Sequence, residues 1–537
     1  MSNRVCALIL ATAACAPLSA LTQPVKTRGG LVSGTPGKTP SVTAFKGIPF
    51  AAPPVGNLRW AAPQPAAPWK GVLKAEKFSA SCVQNIVQES KPWTYEFEPH
   101  GETSEDCLYL NVWTPAKSAG AKLPVFVYIY GGAFTGGSAS VPVYDGEGLA
   151  RKGMVVVIPN YRVGIWGFFT HPELTKESGH NASGDWGILD QIAALQWVHD
   201  NIAAFGGDPR RVTICGQSAG ATSVHVLTAS PLAKGLFIRA IPQSGSSVNG
   251  LGLMAAGDLA SSEQNGLRFQ ESKGAKSLAD LRAMSVQEIL ARAPAAANGG
   301  GRGAGGGRNF SLVVDGYVLP QPVDQIFAAG KQNDVATLTG LTADDIGITA
   351  NANATVESFE RQARSRYGEL ADLFLKAYAV TTNPQAVAAT VESSRDQSRA
   401  SMYIWAMNRA KTAKTKVFTY YWNHVLPGPD SARYGAFHSS ELPYTLNTLD
   451  TSDRPFTDVD RKIAEQMSAY WVNFTTTGDP NGKGLPHWPA VGEKPETMQV
   501  GDNPGPIPIA ADPAKIEFWK QYFAEPHPAQ GLGGRGQ

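Results

Sequence analysis

The sequence has little charge for its length and no basic segment. Only 17% of its 537 residues are Asp, Glu, Lys or Arg, and the formal net charge is +2. A protein that binds nucleic acid through phosphates needs a concentrated positive field, which this chain lacks. We therefore expect no nucleic-acid partner. The hydrophobic content of 43% indicates a globular protein with a large core.

Long hydrophobic runs are also missing, and the apolar segment at the N-terminus is short. Val5–Ala16 follows Arg4 and precedes Leu18-Ser19-Ala20, an arrangement typical of a secretory signal peptide. The segment is too short for a permanent membrane-spanning helix. We expect cleavage after Ala20 and a secreted or periplasmic protein. A lipoprotein modified at Cys15 and an uncleaved apolar N-terminus are the alternatives.

Cysteine is scarce, with five residues in the whole chain. Cys6 and Cys15 lie within the expected signal peptide. Cys215 lies in an apolar run and is interpreted as a small buried hydrophobic residue rather than a reactive thiol. Cys82 and Cys107 remain.

The Gly-rich segment at 295–308 lacks the features of a phosphate-binding loop. No Lys-Ser/Thr pair and no helical pattern follow its glycines. We interpret it as a flexible surface loop, with a mobile lid as the alternative. Residues 526–537 are predicted to form a flexible tail.

The most informative segment is Gly216-Gln217-Ser218-Ala219-Gly220, which follows the apolar run 212–215. Small residues two positions before and after a serine are typical of a nucleophile elbow, because the turn from strand to helix is too sharp for larger side chains. Such a turn exposes Ser218 Oγ above the sheet edge, at a helix N-terminus that favours negative charge. Ser218 is therefore the predicted nucleophile.

A second segment, Gly131-Gly132-Ala133-Phe134, follows the apolar run 124–130. We interpret the run as a buried strand and the glycines as a turn whose backbone N–H groups can face a substrate oxygen. A plain tight turn between strands is the alternative. Together, the turn and the elbow predict an acyl-transfer site with an attacking hydroxyl and a hole for the oxyanion.

Further segments extend this pattern along the chain: Phe45–Ala51, Arg59-Trp60, Ser104–Val112, Asn160–Arg162 and Phe205–Pro209. With the elbow, they resemble the type-B carboxylesterases, which include cholinesterases, bacterial nitrobenzyl esterases and fungal lipases. The resemblance runs from about Gly30 to about Trp519. It implies an α/β-hydrolase fold: a large, mostly parallel twisted sheet with helices on both faces and helical insertions bordering an active-site gorge.

The resemblance also implies ester hydrolysis by a Ser-His-acid triad, with no metal and no organic cofactor. In this fold the acid precedes the histidine along the chain. His438 lies in the segment 434–444, which resembles the histidine loop of the family, where a glutamate follows three residues later. His225 lies seven residues into the helix after the elbow, points away from the serine and is interpreted as structural.

The acid is matched by counting from Gly340, which gives Asp345. The family usually has a glutamate followed by a glycine there, whereas this chain has an aspartate followed by Ile346. A shorter carboxylate can still orient an imidazole if the backbone comes closer. Asp344 is the alternative, because the two acids are adjacent.

Further roles follow from the resemblance. The backbone N–H groups of Gly132, Ala133 and Ala219 are expected to bind the oxyanion. Many relatives have a third glycine at position 133 and a glutamate at position 217, so Gln217 weakens any argument for a cationic substrate. Ser244 resembles a residue that supports the triad, with an ordinary loop serine as the alternative.

The resemblance also implies a disulfide between Cys82 and Cys107, which an exported chain can form. Because the motifs span nearly the whole chain, residues 21–525 are predicted to form one domain. We expect a secreted serine carboxylesterase that acts on small-molecule, mainly uncharged esters. An esterase specialised for feruloyl, polyester or toxin esters is the alternative. A non-catalytic binding module conflicts with the retention of all three triad candidates.

Overall fold

The computed structural model of this chain describes residues 21–86, 91–248, 256–291, 310–345, 353–429, 431–492 and 494–524. The expected signal peptide, the Gly-rich segment, Ile346 and the C-terminal tail lie outside the described residues. Within that part of the chain, no helix is both long enough and apolar enough to cross a membrane.

Eighteen strands are present in the described residues. In chain order they are β1 Val25–Lys26, β2 Leu31–Ser33, β3 Thr35–Pro36, β4 Thr43–Pro49, β5 Val72–Lys74, β6 Ser81–Cys82, β7 Thr103–Ser104, β8 Tyr109–Thr114, β9 Leu123–Ile129, β10 Val155–Pro159, β11 Gly207–Gln217, β12 Arg239–Gln243, β13 Gly257–Asp258, β14 Val313–Val314, β15 Ala336–Thr342, β16 Val417–Trp422, β17 Glu496–Val500 and β18 Gly505–Pro508.

The α-helices vary from one turn to thirty residues. In chain order they are α1 Glu147–Ala150, α2 Gly164–Phe168, α3 Pro172–Glu177, α4 Trp186–Asn201, α5 Ala219–Ala229, α6 Leu259–Ser272, α7 Leu278–Ala283, α8 Val286–Leu290, α9 Val323–Ala328, α10 Val356–Tyr367, α11 Ala371–Ala377, α12 Asn383–Thr412, α13 Ser431–Tyr434, α14 Leu442–Thr445, α15 Asp458–Thr477 and α16 Pro513–Ala524.

One large sheet dominates the fold. Its eleven strands have the order β18-β17-β16-β15-β12-β11-β9-β10-β8-β4-β3. The central strands, from β17 to β10 in that order, all pair in parallel, and antiparallel pairs lie toward the two ends. This arrangement confirms the mostly parallel sheet of the α/β-hydrolase fold.

The central strands are buried on both faces. All five residues of β10 and all six of β16 are buried, as expected for parallel strands covered by helices. The helix α5, which follows β11, is also buried along all eleven of its residues. One hydrophobic cluster includes residues from Leu21 to Val500. A smaller cluster joins α10, α11, α12 and α16.

The two edge strands of the large sheet contain proline. β3 ends at Pro36, and β18 contains Pro506 and Pro508, all of them exposed. Proline has no N–H and cannot donate a hydrogen bond to a further strand, so it is tolerated at an edge.

The carboxyl ends of the parallel strands bring the predicted site together. Gly216 at the end of β11 lies opposite Ile129 of β9 and Pro242 of β12, and Gln243 lies opposite Gly340 of β15. Ligands of open α/β sheets bind beside the carboxyl ends of the parallel strands. The glycine turn, the elbow and the candidate acids all follow these strand ends.

Candidate active site

The turn that carries Ser218 has the close contacts expected of an elbow between strand and helix. A Cβ atom on Gly216 would lie 2.5 Å from the backbone of Gly220, and one on Gly220 would lie 2.1 Å from the carbonyl oxygen of Ile129. Only glycine fits at either position. Ser218 has φ +60° and ψ −122° at the N-cap of α5, a conformation that costs free energy in a non-glycine residue and is found at functional sites.

The glycine turn after β9 packs against this elbow. A Cβ on Gly131 would lie 2.6 Å from the carbonyl oxygen of Gln217. Gly132 and Ala133 have φ of +110° and +55°, so the backbone turns sharply. In the described part of the chain, the N–H groups of Gly132, Ala133 and Ala219 have no hydrogen-bond acceptor, as a hole for an oxyanion requires.

Gln84 holds the far end of the glycine turn. Its side-chain amide donates to the carbonyl oxygens of Gly137 (2.7 Å) and Cys82 (2.9 Å), and its Oε1 accepts from the N–H of Gly137 (2.8 Å). Sequence reasoning missed Gln84, because it lies 53 residues before Gly137 and belongs to no motif. Its position just after Cys82 is the only signal in the sequence.

His438 and Asp345 form the central contact of the site. Nδ1 of His438 donates to Oδ1 of Asp345 at 2.5 Å, and the hydroxyl of Thr342 donates to the same oxygen at 3.2 Å. The amide of Gln217 donates to Nε2 of His438 at 3.0 Å. The ring is therefore the neutral Nδ1–H tautomer, and Nε2 is bonded to Gln217 rather than to Ser218 Oγ.

Asp344 is bound elsewhere. Its carboxylate accepts from the Arg395 side chain (2.7 and 3.1 Å) and from the N–H of Ala436 (2.9 Å), and its own N–H donates to the carbonyl oxygen of Ala436 (3.0 Å). Asp344 thus connects the segment after β15 to the histidine loop, while Asp345 contacts His438. The contacts favour Asp345 over Asp344 as the acid.

The electrostatic environment keeps His438 basic. Burial lowers the pKa of His438, but the charge and hydrogen bond of Asp345 outweigh burial and raise this pKa above its usual value. An imidazole next to a carboxylate in this way can accept a proton from a hydroxyl.

Glu441, three residues after His438, is fully buried. Neither carboxylate oxygen has a hydrogen-bond partner among the described residues. Burial and the nearby charge of Asp345 raise the pKa of Glu441 to about 7. The side chain therefore changes its protonation state near neutral pH, and its negative charge raises the pKa of His438.

Three other residues considered in the sequence lie outside the His438–Asp345 contact. His225 is buried, its Nε2 lies 2.9 Å from Ser246 Oγ, and burial lowers its pKa to about 3, which agrees with a structural role. The Ser244 hydroxyl has no hydrogen-bond partner in the described structure, although its N–H donates to the carbonyl oxygen of Gly340 (2.8 Å). Cys215 is a buried free cysteine.

A disulfide joins Cys82 to Cys107, with Cα atoms 5.0 Å apart. The loop that it closes carries Gln84 near one end and later passes over the histidine loop, where Trp93 donates to the carbonyl oxygen of His438 (3.1 Å). Sequence reasoning missed Trp93 as well.

Among the described residues, no cluster of three or more His, Cys, Asp or Glu side chains has the arrangement of a metal site.

Residues 22–519 match the Carboxylesterase family. The chain is 36% identical to fumonisin B1 esterase of Sphingopyxis macrogoltabida, over 89% of this chain and 86% of that protein. It is 32% identical to human cocaine esterase (90% and 88% covered) and 33% identical to rat liver carboxylesterase 1F (92% and 91% covered).

Proposed function

The chain belongs to the carboxylesterase family and is a carboxylic ester hydrolase, and we propose that Ser218, His438 and Asp345 are its catalytic triad. The observation that carries this proposal is the 2.5 Å contact between His438 and Asp345, at the carboxyl end of the parallel strands, where the strained Ser218 directly follows β11. An activated serine, a base and an orienting carboxylate are the groups that acyl transfer needs.

In the reaction, Ser218 Oγ attacks the ester carbonyl carbon while Nε2 of His438 accepts the hydroxyl proton. Gln217 must first release Nε2, because that nitrogen has a single lone pair. Asp345 keeps the other ring proton on Nδ1 and stabilises the imidazolium. His438 then protonates the leaving alcohol, and a water molecule attacks the acyl-enzyme by the same base-assisted step.

The tetrahedral intermediates carry a negative oxygen. We assign to it the N–H groups of Gly132, Ala133 and Ala219, which have no acceptor among the described residues. Each such donor stabilises the transition state by about 3 kcal/mol. Ala133 supplies only its amide N–H, so its methyl group alters the shape of the pocket and not the chemistry.

A toxin ester is the second candidate substrate class. It is favoured by the name of one relative, a fumonisin B1 esterase, which is similar along 89% of this chain. General carboxylesters remain the first candidate, since other relatives are liver carboxylesterases. A panel of nitrophenyl acyl esters assayed beside fumonisin B1 separates the two: a kcat/KM for the toxin far above all simple esters selects the second.

We also propose that the protein is exported and processed after Ala20, as a single domain over residues 21–525. The disulfide between Cys82 and Cys107 supports export, because such bonds persist in oxidising compartments. N-terminal sequencing of the mature protein tests the proposal: Leu21 as the first residue supports it, and a lipid-modified Cys15 contradicts it.

The triad is tested with Ser218→Ala and a fluorophosphonate probe. Ester hydrolysis should fall to near background and labelling should disappear, while the fold persists. Ser223→Ala is a matched control, since it removes a buried hydroxyl one turn further along α5 and should leave labelling intact. Substantial turnover by a contamination-free Ser218→Ala preparation excludes Ser218 as the nucleophile.

A further inference from the structure

Part of the disulfide-closed loop crosses the segment that carries His438. We call residues 91–98 of this loop the strap. The indole N–H of Trp93, within the strap, donates to the carbonyl oxygen of His438 (3.1 Å) and to Ser439 Oγ (3.3 Å). The two acceptors therefore lie on either side of the peptide bond between His438 and Ser439.

The backbone at this peptide bond is strained. Ser439 has φ +83°, a conformation that a non-glycine residue keeps only when its surroundings hold it. The hydrogen bonds from Trp93 supply such support, because they fix the direction of the His438 carbonyl group. A relaxed Ser439 would rotate this carbonyl and move the imidazole with it.

Aromatic packing adds a second contact between the strap and the histidine loop. The rings of Trp93 and Phe437 have centroids 6.4 Å apart at an interplanar angle of 90°, and those of Phe97 and Phe437 are 6.1 Å apart at 70°. Edge-to-face pairs of this kind are favourable beyond the area that they bury. Phe437, directly before His438, is thus held by two rings of the strap.

The strap is itself anchored to the rest of the fold. Glu96 forms an ion pair with Arg454, and the two side chains are only 6% and 12% exposed. Arg454 also donates to Thr94 Oγ1 (2.7 Å) and to the carbonyl oxygen of Pro427 (3.0 Å). Charge-assisted bonds in a buried setting are strong and directional, so the position of Trp93 is fixed from outside the histidine loop.

We propose that Trp93 is a positioning residue for His438. Its indole N–H holds the His438–Ser439 peptide in its strained conformation and thereby keeps the imidazole in its contact with Asp345. This inference rests on the proposed triad. It predicts that removing the indole donor weakens the reaction step and leaves substrate binding unaffected.

The variant Trp93→Phe tests the proposal, because it keeps an aromatic ring beside Phe437 and removes the donor. We expect kcat to fall about tenfold, because one hydrogen bond that holds the histidine in place is lost, and KM to stay within about twofold. The acid limb of the pH profile of kcat/KM should move to lower pH, since a misaligned imidazole is stabilised less by Asp345 in its charged form. Trp69→Phe is the control, because the Trp69 indole donates to the carbonyl oxygen of Leu31 in a separate small sheet.

If Trp93→Phe fails to fold, Glu96→Gln loosens the other anchor of the strap and should shift kcat and the acid limb in the same directions. Wild-type kcat and an unmoved acid limb in the folded variant overturn the inference, as does a rise in KM with unchanged kcat, which would make Trp93 a substrate contact. Ser218→Ala, assayed in parallel, distinguishes a failure of the proposed triad from a failure of the positioning role alone. An active Ser218→Ala refutes the triad itself, whereas an inactive one with a normal Trp93→Phe refutes only the positioning role.

Discussion

The side-chain amide of Gln217 donates to Nε2 of His438 at 3.0 Å, and Gln217 directly precedes Ser218 in the chain. The residue before the predicted nucleophile therefore binds the nitrogen that has to accept the nucleophile's proton. Its neutral amide stabilises the neutral ring, whereas a carboxylate at this position would stabilise the imidazolium.

Gln217→Glu should raise the pKa of His438 further. His438 must be neutral to act as a base, so the acid limb of kcat/KM should move to higher pH, by about one unit for a carboxylate in direct contact. The measurement is a pH profile with one activated ester. Gln217→Met, which removes the amide without adding charge, should show no upward shift, and an unmoved limb in Gln217→Glu contradicts the contact.

The two adjacent acids should differ sharply when each is changed to asparagine. Asp345→Asn should lower kcat by about 10⁴-fold, because an amide favours the wrong imidazole tautomer. Asp344→Asn should have a modest effect, since its partners are Arg395 and the N–H of Ala436. Both variants are assayed with the same ester at neutral pH. A large loss in Asp344→Asn with near-normal Asp345→Asn would move the acid by one position.

The buried carboxyl of Glu441 should make stability depend on pH. Its pKa is about 7 in the folded protein, against 4.5 for an ordinary glutamate. Between these values the folded state binds more protons than the unfolded state, so stability falls as pH rises, by about 3 kcal/mol in total. Urea unfolding at pH 5 and pH 8 measures this change.

Glu441→Gln should abolish most of that pH dependence, because the amide stays neutral throughout. Glu369→Gln is the control, since Glu369 is exposed and should leave the dependence unchanged. An equal fall in stability between pH 5 and pH 8 in wild type and Glu441→Gln would show that another group is responsible.

The disulfide should contribute measurably to stability. Its two cysteines are 25 residues apart, and closing a loop of that length stabilises the fold by about 3.5 kcal/mol in the chain-entropy description. Cys82→Ser with Cys107→Ser should lower the free energy of unfolding by that order, whereas Cys215→Ala should leave the bridge intact. Peptide mapping under non-reducing conditions checks the pairing, and free thiols at both positions would indicate a reducing compartment.

The sequence predicts the parts of the site that arise from local geometry. The spacing of Gly216 and Gly220 around Ser218 follows from the sharpness of the elbow, and the contacts of both glycines with neighbouring backbone bear this out. The resemblance supplied His438 and Asp345, which contact each other in the structure.

Other contacts could not be predicted because they join distant segments. Trp93 and His438 are separated by 345 residues, and Arg395 and Asp344 by 51. Such pairs depend on how the loops cross above the sheet, and no local periodicity encodes that crossing. A glutamate three residues after His438 belongs to the family pattern, whereas the complete burial of Glu441 depends on packing between segments that are distant in the chain.

The prolines in the two edge strands of the large sheet disfavour edge-to-edge association between copies of this enzyme. An open sheet presents unpaired backbone groups at its outermost strands, and those groups can recruit the edge of another molecule. Here Pro36 at one end, and Pro506 and Pro508 at the other, interrupt the row of donors that such growth requires. Edge-to-edge stacking of intact molecules along this eleven-stranded sheet is thereby disfavoured.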